Sequence, residues 1–285
     1  MSDVIIPRKK IREEGICLSY KSNELDELLS EFYWADDNFM ETYARLAIGK
    51  CNLREDIYFE GLFLCFNSYD KKIDLSEEVF YLPPNKNIYC RFIHEQHDVS
   101  SDLGHTSLLV IFKELKRCFL VDGVNSGISV KYDQVKYEKM FFDILTRFGW
   151  KKEKDTMLKS VSKINTRSDD DNKDKWVTEY ILVKTGDEIA ICPFVAMEAL
   201  EHVCRGRCNF SDMEESGTYQ VKLARQNVHK RFKARLIEHL KGFLNSGTKM
   251  KQETHNYLIE CYNDLVSSNE TKSNEPLKKK RKVVS

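Results

Sequence analysis

The sequence has few residues that break regular structure and no long hydrophobic run. Among 285 residues there are 5 prolines and 12 glycines, and no apolar stretch approaches the roughly 20 residues of a membrane span. Collagen-like, low-complexity and membrane-spanning chains are therefore excluded. No apolar signal core follows the basic start of the chain, so we expect a protein on the cytosolic side of membranes. Hydrophobic residues reach 41%, enough for the core of one large domain or two small ones.

The chain also lacks net charge, disulfide spacing and a complete set of metal ligands. Its 45 Lys and Arg balance 45 Asp and Glu, so any charge-driven partner must meet a local patch. Nine scattered cysteines indicate reduced thiols in a reducing compartment. The stretch 202–208 holds one His and two Cys, but no second close pair of ligands that would complete a structural zinc site. The spacing of His94 and His97 is one residue shorter than in a zinc-protease motif, so a surface loop is favoured for these two residues. We therefore predict no metal and no cofactor.

Apolar periodicity predicts alternating helices and strands. The clearest signal is a hairpin of two buried strands, at 106–112 and 117–121, with a turn at 113–116 between them. Strands or buried helices are predicted at 57–67 and 78–82, and a strand at 177–183. Helices are predicted at 23–50 with a break near Trp34, and at 137–148, 193–203, 218–244 and 252–266.

Composition divides the chain into four parts. Residues 1–22 form a basic N-terminal segment, 23–210 the main domain, 211–266 a helical C-terminal extension and 267–285 a disordered tail. The nearly all-polar stretch 151–175 is predicted to be an exposed insertion in the main domain. Helix 218–244 carries seven cations and one acid, which predicts a solvated face; docking on nucleic acid or an acidic partner is the alternative.

Three residues suited to nucleophilic catalysis stand at the ends of predicted elements. His105 opens the first strand of the hairpin and Asp122 closes the second, so antiparallel pairing brings them together. Cys192 directly precedes Pro193, which suits the first position of a helix, and we therefore predict that Cys192 is the N-cap residue. A helix N-terminus favours a thiolate and, later, an oxyanion. The three residues together can form a Cys-His-Asp triad.

The chain order His–Asp–Cys resembles that of the Ulp/SENP family of cysteine proteases, which cleave SUMO and related ubiquitin-like proteins. Four segments also resemble family motifs: 34–43 (WADDNFMETY), 79–85 (VFYLPPN), 119–122 (FLVD) and 192–197 (CPFVAM). The similarity runs from about residue 25 to 203. It implies an α/β (α+β) fold of the papain-like, Ulp/SENP type, with a central, mostly antiparallel sheet flanked by helices.

The resemblance also implies a role for individual residues. Cys192 would be the nucleophile, His105 the base and Asp122 the residue that orients the base. Trp34, Thr106 and Trp176 are assigned to substrate binding, and the implied partners are SUMO-like or ubiquitin-like protein conjugates.

Three positions differ from the family pattern. Thr106 replaces the Trp that lines the tunnel for a Gly-Gly tail, Gly186 replaces the Gln that donates to the oxyanion, and Pro193 replaces a glycine and removes an N–H. Losing one oxyanion donor typically costs about 10²–10³ in rate. The alternative function is a catalytically degenerate, protease-like adaptor that binds a ubiquitin-like protein or nucleic acid, and acetyl transfer by the same triad order is a third reading.

The tail carries an uninterrupted basic cluster of Lys278, Lys279, Lys280, Arg281 and Lys282. The stretch 276–283 resembles the short import signal of a simian polyomavirus large T antigen, with one Leu inserted. It predicts a nuclear location and an import receptor as partner. The alternatives are a generic basic tail that binds RNA or acidic surfaces, and an appended tag.

Overall fold

The computed structural model describes residues 37–51, 55–67, 75, 78–96, 104–124, 134–150, 158–160, 176–184, 191–210, 213, 225–247 and 249–273. Its helices are α1 (Asp37–Gly49), α2 (Gln134–Arg147), α3 (Cys192–Cys204), α4 (Arg225–Leu244) and α5 (Gln252–Ser273). Its strands are β1 (Ile57–Asn67), β2 (Ile88–Gln96), β3 (Gly104–Phe112), β4 (Arg117–Val124), β5 (Leu158–Ser160) and β6 (Val177–Lys184).

The six strands form one mixed sheet in the order β1-β2-β3-β4-β6-β5. The middle pairs β2–β3 and β3–β4 are antiparallel, whereas β1–β2, β4–β6 and β5–β6 are parallel. The expectation of a mostly antiparallel sheet is therefore wrong in its detail. The β3–β4 hairpin is confirmed, but the connections around it are long enough for the crossovers that parallel pairing requires.

Each face of the sheet is covered by helices, which confirms the α+β class. Successive strand residues point to opposite faces, and on β4 Phe119 and Val121 belong to one hydrophobic cluster while Cys118 and Leu120 belong to the other. The first cluster includes side chains of α1, α3, α4 and α5, and the side of the sheet on which it lies is called here the α3 face. The second includes α2 and Phe80. The predicted C-terminal extension thus shares a core with the sheet.

Two segments differ from their predicted structure. Residues 78–82 form neither a strand nor a helix, and the prolines at 83 and 84, which lack N–H donors, follow directly. In contrast β2 was not predicted, and it contains His94, for which the sequence favoured a loop. The strand was not predicted because the charged Arg91 interrupts its apolar pattern. Arg91 is nevertheless 3% exposed, and it donates to Glu78 at 2.7 Å.

The described helix and strand bounds otherwise follow the predictions closely. Residues 57–67, predicted as a strand or a buried helix, form a strand. Helix α5 begins as predicted but runs on to Ser273, because no Pro or Gly interrupts residues 252–273. Within the predicted insertion 151–175, residues 158–160 are described and add an edge strand to the sheet. The predicted break near Trp34 and the basic cluster of the tail lie outside the described residues. In the described part of the chain, no helix is both long and apolar enough to cross a membrane.

A buried ionic network joins α3 to α4. Glu198 and Glu201 of α3 have side chains 2% and 4% exposed, and Arg231 contacts Glu198 at 2.6 Å. Arg235 pairs with Glu198 and lies 3.3 Å from Glu201. These two cations of the basic helix therefore neutralise buried acids, so the predicted solvated face is wrong for them, and they are not available to bind nucleic acid.

Candidate active site

The β3–β4 hairpin brings His105 and Asp122 into contact. Asp122 pairs in register with Ser107, which lies two residues after His105 on the same face of β3. Nε2 of His105 and Oδ1 of Asp122 form a hydrogen bond. The Asp122 side chain is 1% exposed and that of His105 is 20% exposed, so the carboxylate is shielded while the imidazole edge reaches solvent.

Cys192 is the first residue of α3, and the N-cap is Ile191. The prediction that Cys192 is the N-cap is therefore wrong by one residue: helical geometry begins one position earlier because Pro193, with its fixed φ, is also tolerated in the second position. Pro193 has no N–H, and the N–H groups of Phe194 and Val195 donate to the Ile191 carbonyl at 3.0 and 3.1 Å. The first turn thus offers the N–H of Cys192 itself to a developing oxyanion.

Gly123 explains how the cysteine reaches the histidine. His105 and Asp122 project from the face of the sheet opposite α3, whereas Gly123 lies on the α3 face at the end of β4. A Cβ at Gly123 would stand 2.8 Å from Val195 Cγ2 and 3.2 Å from the Cα of Cys192. The missing side chain lets the start of α3 lie against the strand end, and there the Cys192 side chain interacts with His105 and raises the pKa of the imidazole.

The electrostatics of the His105 and Asp122 pair favour a protonated imidazole. Burial alone would lower the pKa of His105, but the charge and hydrogen bond of Asp122, with the hydrogen bond to Cys192, raise that pKa well above its ordinary value. Burial raises the pKa of Asp122, and the hydrogen bonds from His105 and Tyr180 oppose that increase. An imidazolium held between a carboxylate and a thiol is the arrangement that stabilises a nucleophilic thiolate.

Tyr180 is a site residue that the sequence analysis missed. Its hydroxyl donates to Oδ2 of Asp122 at 3.3 Å, whereas His105 bonds to Oδ1. Tyr180 lies on β6, which pairs in parallel with β4 so that Leu182 is opposite Asp122. Local sequence patterns predicted the strand but not its neighbour, so nothing in them connected Tyr180 with Asp122.

Two of the predicted substrate-binding residues are in positions that contradict that role. Thr106 is 4% exposed and lies on the α3 face of β3, so it has little surface to offer a substrate. Trp176 precedes β6 at the end far from Asp122, stacks on Trp150 with ring centroids 5.9 Å apart and donates Nε1–H to the Trp150 carbonyl at 3.3 Å. It is a core residue. Trp34 and Gly186 lie outside the described residues.

The sequence offered two groups of potential metal ligands, His94 with His97 and the stretch 202–208. His94 is in β2, and His202 is 2% exposed within α3 while Cys208 is exposed beyond it. Among the residues with described positions, no three His, Cys, Asp or Glu side chains converge to hold a metal ion.

Comparisons with known proteins find similarity in solved structures alone. No family model and no curated protein matches the chain. The chain is similar to the SUMO protease Ulp1 with its catalytic cysteine oxidised to a sulfinic acid. The alignment covers 72% of this chain and 80% of that protease chain, at 12% identity and a TM-score of 0.37. The C-terminal Ulp1 protease domain in complex with Smt3, the yeast ortholog of SUMO, aligns over the same shares at 12% identity and a TM-score of 0.38. The Legionella pneumophila effector RavZ aligns over 93% of this chain and 76% of its own, at 10% identity and a TM-score of 0.37.

Proposed function

We propose that this chain is a cysteine protease that releases SUMO-like or ubiquitin-like modifiers from their conjugates. The observation that carries the proposal is the placement of His105, which is hydrogen-bonded to buried Asp122 and interacts with Cys192 at a helix start. A nucleophile, a base and a group that orients the base are what acyl transfer through a thioester requires. The substrate class follows from the resemblance of the chain order and motifs to the Ulp/SENP family.

The geometry supports a two-step reaction. In the first step the Cys192 thiolate attacks the carbonyl carbon of the modifier's terminal residue, and the His105 imidazolium gives its proton to the leaving lysine amine. The bond from carbon to nitrogen breaks and a thioester remains on Cys192. In the second step His105 takes a proton from water, the hydroxide attacks the thioester, and the thiolate leaves as the free carboxylate is released.

A catalytically degenerate adaptor is the second candidate, and a specific observation favours it. Pro193 stands in the first turn of α3, where it removes one of the backbone N–H groups that could stabilise an oxyanion. In this reading the chain binds a ubiquitin-like protein and releases nothing.

Cleavage assays with a panel of modifiers separate the two candidates. The purified chain is incubated with SUMO-like and ubiquitin-like precursors and with their lysine conjugates, and products are followed by mass spectrometry. We expect release of at least one modifier, lost in Cys192→Ala and retained in Cys208→Ala, which changes an exposed thiol elsewhere. Binding without release of any modifier would establish the adaptor, and release that survives Cys192→Ala would contradict the protease assignment.

We further propose that the protein acts in the nucleus and that an import receptor takes up its basic tail. The stretch 276–283 supports this by its resemblance to a known import signal. Replacing Lys279, Lys280 and Arg281 with alanine should leave folding unchanged and move the protein to the cytoplasm, as seen by fluorescence microscopy.

The matched control for the import signal replaces Lys249 and Lys251, two exposed lysines between α4 and α5, and should stay nuclear. Unchanged nuclear accumulation of the tail variant would assign import to the basic residues at 8–12. If a variant lacking both clusters also remained nuclear, import by a basic signal would be refuted.

A further inference from the structure

The buried carboxylate of Asp122 is held from two different strands. His105 of β3 occupies Oδ1, and the hydroxyl of Tyr180 of β6 donates to Oδ2 at 3.3 Å. The Asp122 side chain is 1% exposed, so bulk water cannot replace a partner that is lost. Both oxygens of a shielded anion are thus met by protein donors, as a buried charge requires.

Two donors fix the orientation of a carboxylate where one does not. The terminal torsion of an aspartate is broad, so a single hydrogen bond leaves the carboxylate plane free to turn about it. A second bond on the other oxygen, from a strand on the far side of β4, restricts that rotation. This carboxylate orients the imidazole of His105, and the imidazole in turn interacts with Cys192.

We propose that Tyr180 is a positioning residue of the active site, which holds the Asp122 carboxylate in the plane that aims His105 at Cys192. The proposal rests on the proposed protease function, since it gives Tyr180 a part in that reaction. Tyr180 acts through Asp122: it increases the fraction of molecules in which Asp122, His105 and Cys192 are aligned for reaction.

The groups around Asp122 determine how Tyr180 should affect the pH dependence of activity. The carboxylate interacts with His105 from β3, with Tyr180 from β6 and with Glu95 from β2, and Cys192 of α3 lies beyond the imidazole. Burial and the charge of Glu95 raise the pKa of Asp122, while the hydroxyl of Tyr180 lowers it. Removing that hydroxyl raises the pKa of Asp122 further, so the acid limb of the activity profile should move to higher pH.

The substitution Tyr180→Phe tests the proposal because it removes the hydroxyl and keeps the ring. We expect kcat to fall about 10-fold with KM unchanged, the change in barrier expected for one hydrogen bond to a charged group. The matched control Tyr81→Phe changes an exposed tyrosine and should match the unmodified protein. In an Asp122→Asn background Tyr180→Phe should have no further effect on activity, whereas a merely structural role would lower activity in both backgrounds.

A second readout needs no substrate. The rate at which iodoacetamide alkylates Cys192, followed by peptide mass spectrometry against pH, reports the reactive thiolate directly. We expect it to fall in His105→Ala and, by less, in Tyr180→Phe. If Cys192 reacts as an ordinary thiol whether or not His105 is present, the proposed function fails; if alkylation depends on His105 but Tyr180→Phe equals the unmodified protein, the Tyr180 proposal alone is overturned.

Discussion

Replacing Cys192 or His105 with alanine is expected to abolish release of the modifier, lowering kcat/KM by about 10⁴-fold or more. Cys192 supplies the atom that forms the thioester, and His105 moves the proton in both steps. Asp122→Asn should lower the rate strongly, by up to about 10⁴-fold, because the neutral amide does not stabilise the imidazolium and can turn its NH2 towards the ring, which favours the wrong tautomer. Steady-state kinetics on a conjugate with a fluorescent leaving group measures all three variants.

The combination of these variants tests whether the three residues act together. Because a triad works as a unit, the double variant Cys192→Ala with His105→Ala should be no worse than either single variant. Cys208→Ala and His255→Ala change a cysteine and a histidine outside the site and serve as matched controls that should keep full activity. A double variant much slower than both singles would show that the residues act independently, contrary to the account.

Replacing Arg235 with methionine is expected to be the most destabilising of the substitutions considered, by about 3 kcal/mol, because it removes one of the two arginines that pair with buried Glu198 and a cation beside buried Glu201. Arg235 of α4 pairs with Glu198 and lies 3.3 Å from Glu201, and both carboxylates are almost fully buried on the helix that begins with Cys192. Urea unfolding at neutral pH measures the loss. Lys241→Met, an exposed cation on the same helix, is the control and should change the free energy of unfolding by less than about 0.5 kcal/mol.

The pH dependence of this effect has a definite sign. Burial would raise the pKa of Glu201, but the hydrogen bond of His239, the charge of Arg235 and the hydrogen bond of Tyr43 lower it from 4.5 to about 2. A lowered pKa in the folded state contributes stability that is present above pH 4.5 and is lost as the pH falls towards 2. Because Arg235 is one cause of that shift, the difference in free energy of unfolding between the unmodified protein and Arg235→Met should decrease as the pH falls from 4.5 to about 2. A difference that stays constant over this range would contradict the assigned network.

The part of the site that the sequence predicted is the part encoded by local patterns. The continuous apolar runs at 106–112 and 117–121 predicted the hairpin, and the hairpin by itself brings His105 and Asp122 together. Pro193 predicted the start of a helix to within one residue. These features need no knowledge of distant partners, because the residues concerned are close in the chain or are marked by backbone chemistry.

The parts that the sequence did not predict depend on partners far along the chain. Tyr180 meets Asp122 only because β6 pairs in parallel with β4 across a crossover of more than fifty residues. Arg91 hid a buried strand, because its ion pair with Glu78 is not visible in a hydropathy pattern. The cations of α4 suggested a solvated face because their buried acids, Glu198 and Glu201, lie on another helix. Trp176 suggested a substrate contact, whereas its stacking on Trp150 makes it part of the core.

The central claim, that Cys192 is a nucleophile directed at the C-terminus of a ubiquitin-like protein, is tested most directly by covalent capture. A panel of SUMO-like and ubiquitin-like proteins carrying a C-terminal electrophile is incubated with the full chain, and the adduct is mapped by peptide mass spectrometry. The account predicts an adduct with at least one probe on Cys192, absent in Cys192→Ala and strongly slowed in His105→Ala. Absence of an adduct with every probe, or attachment at another cysteine such as the exposed Cys208, would contradict it.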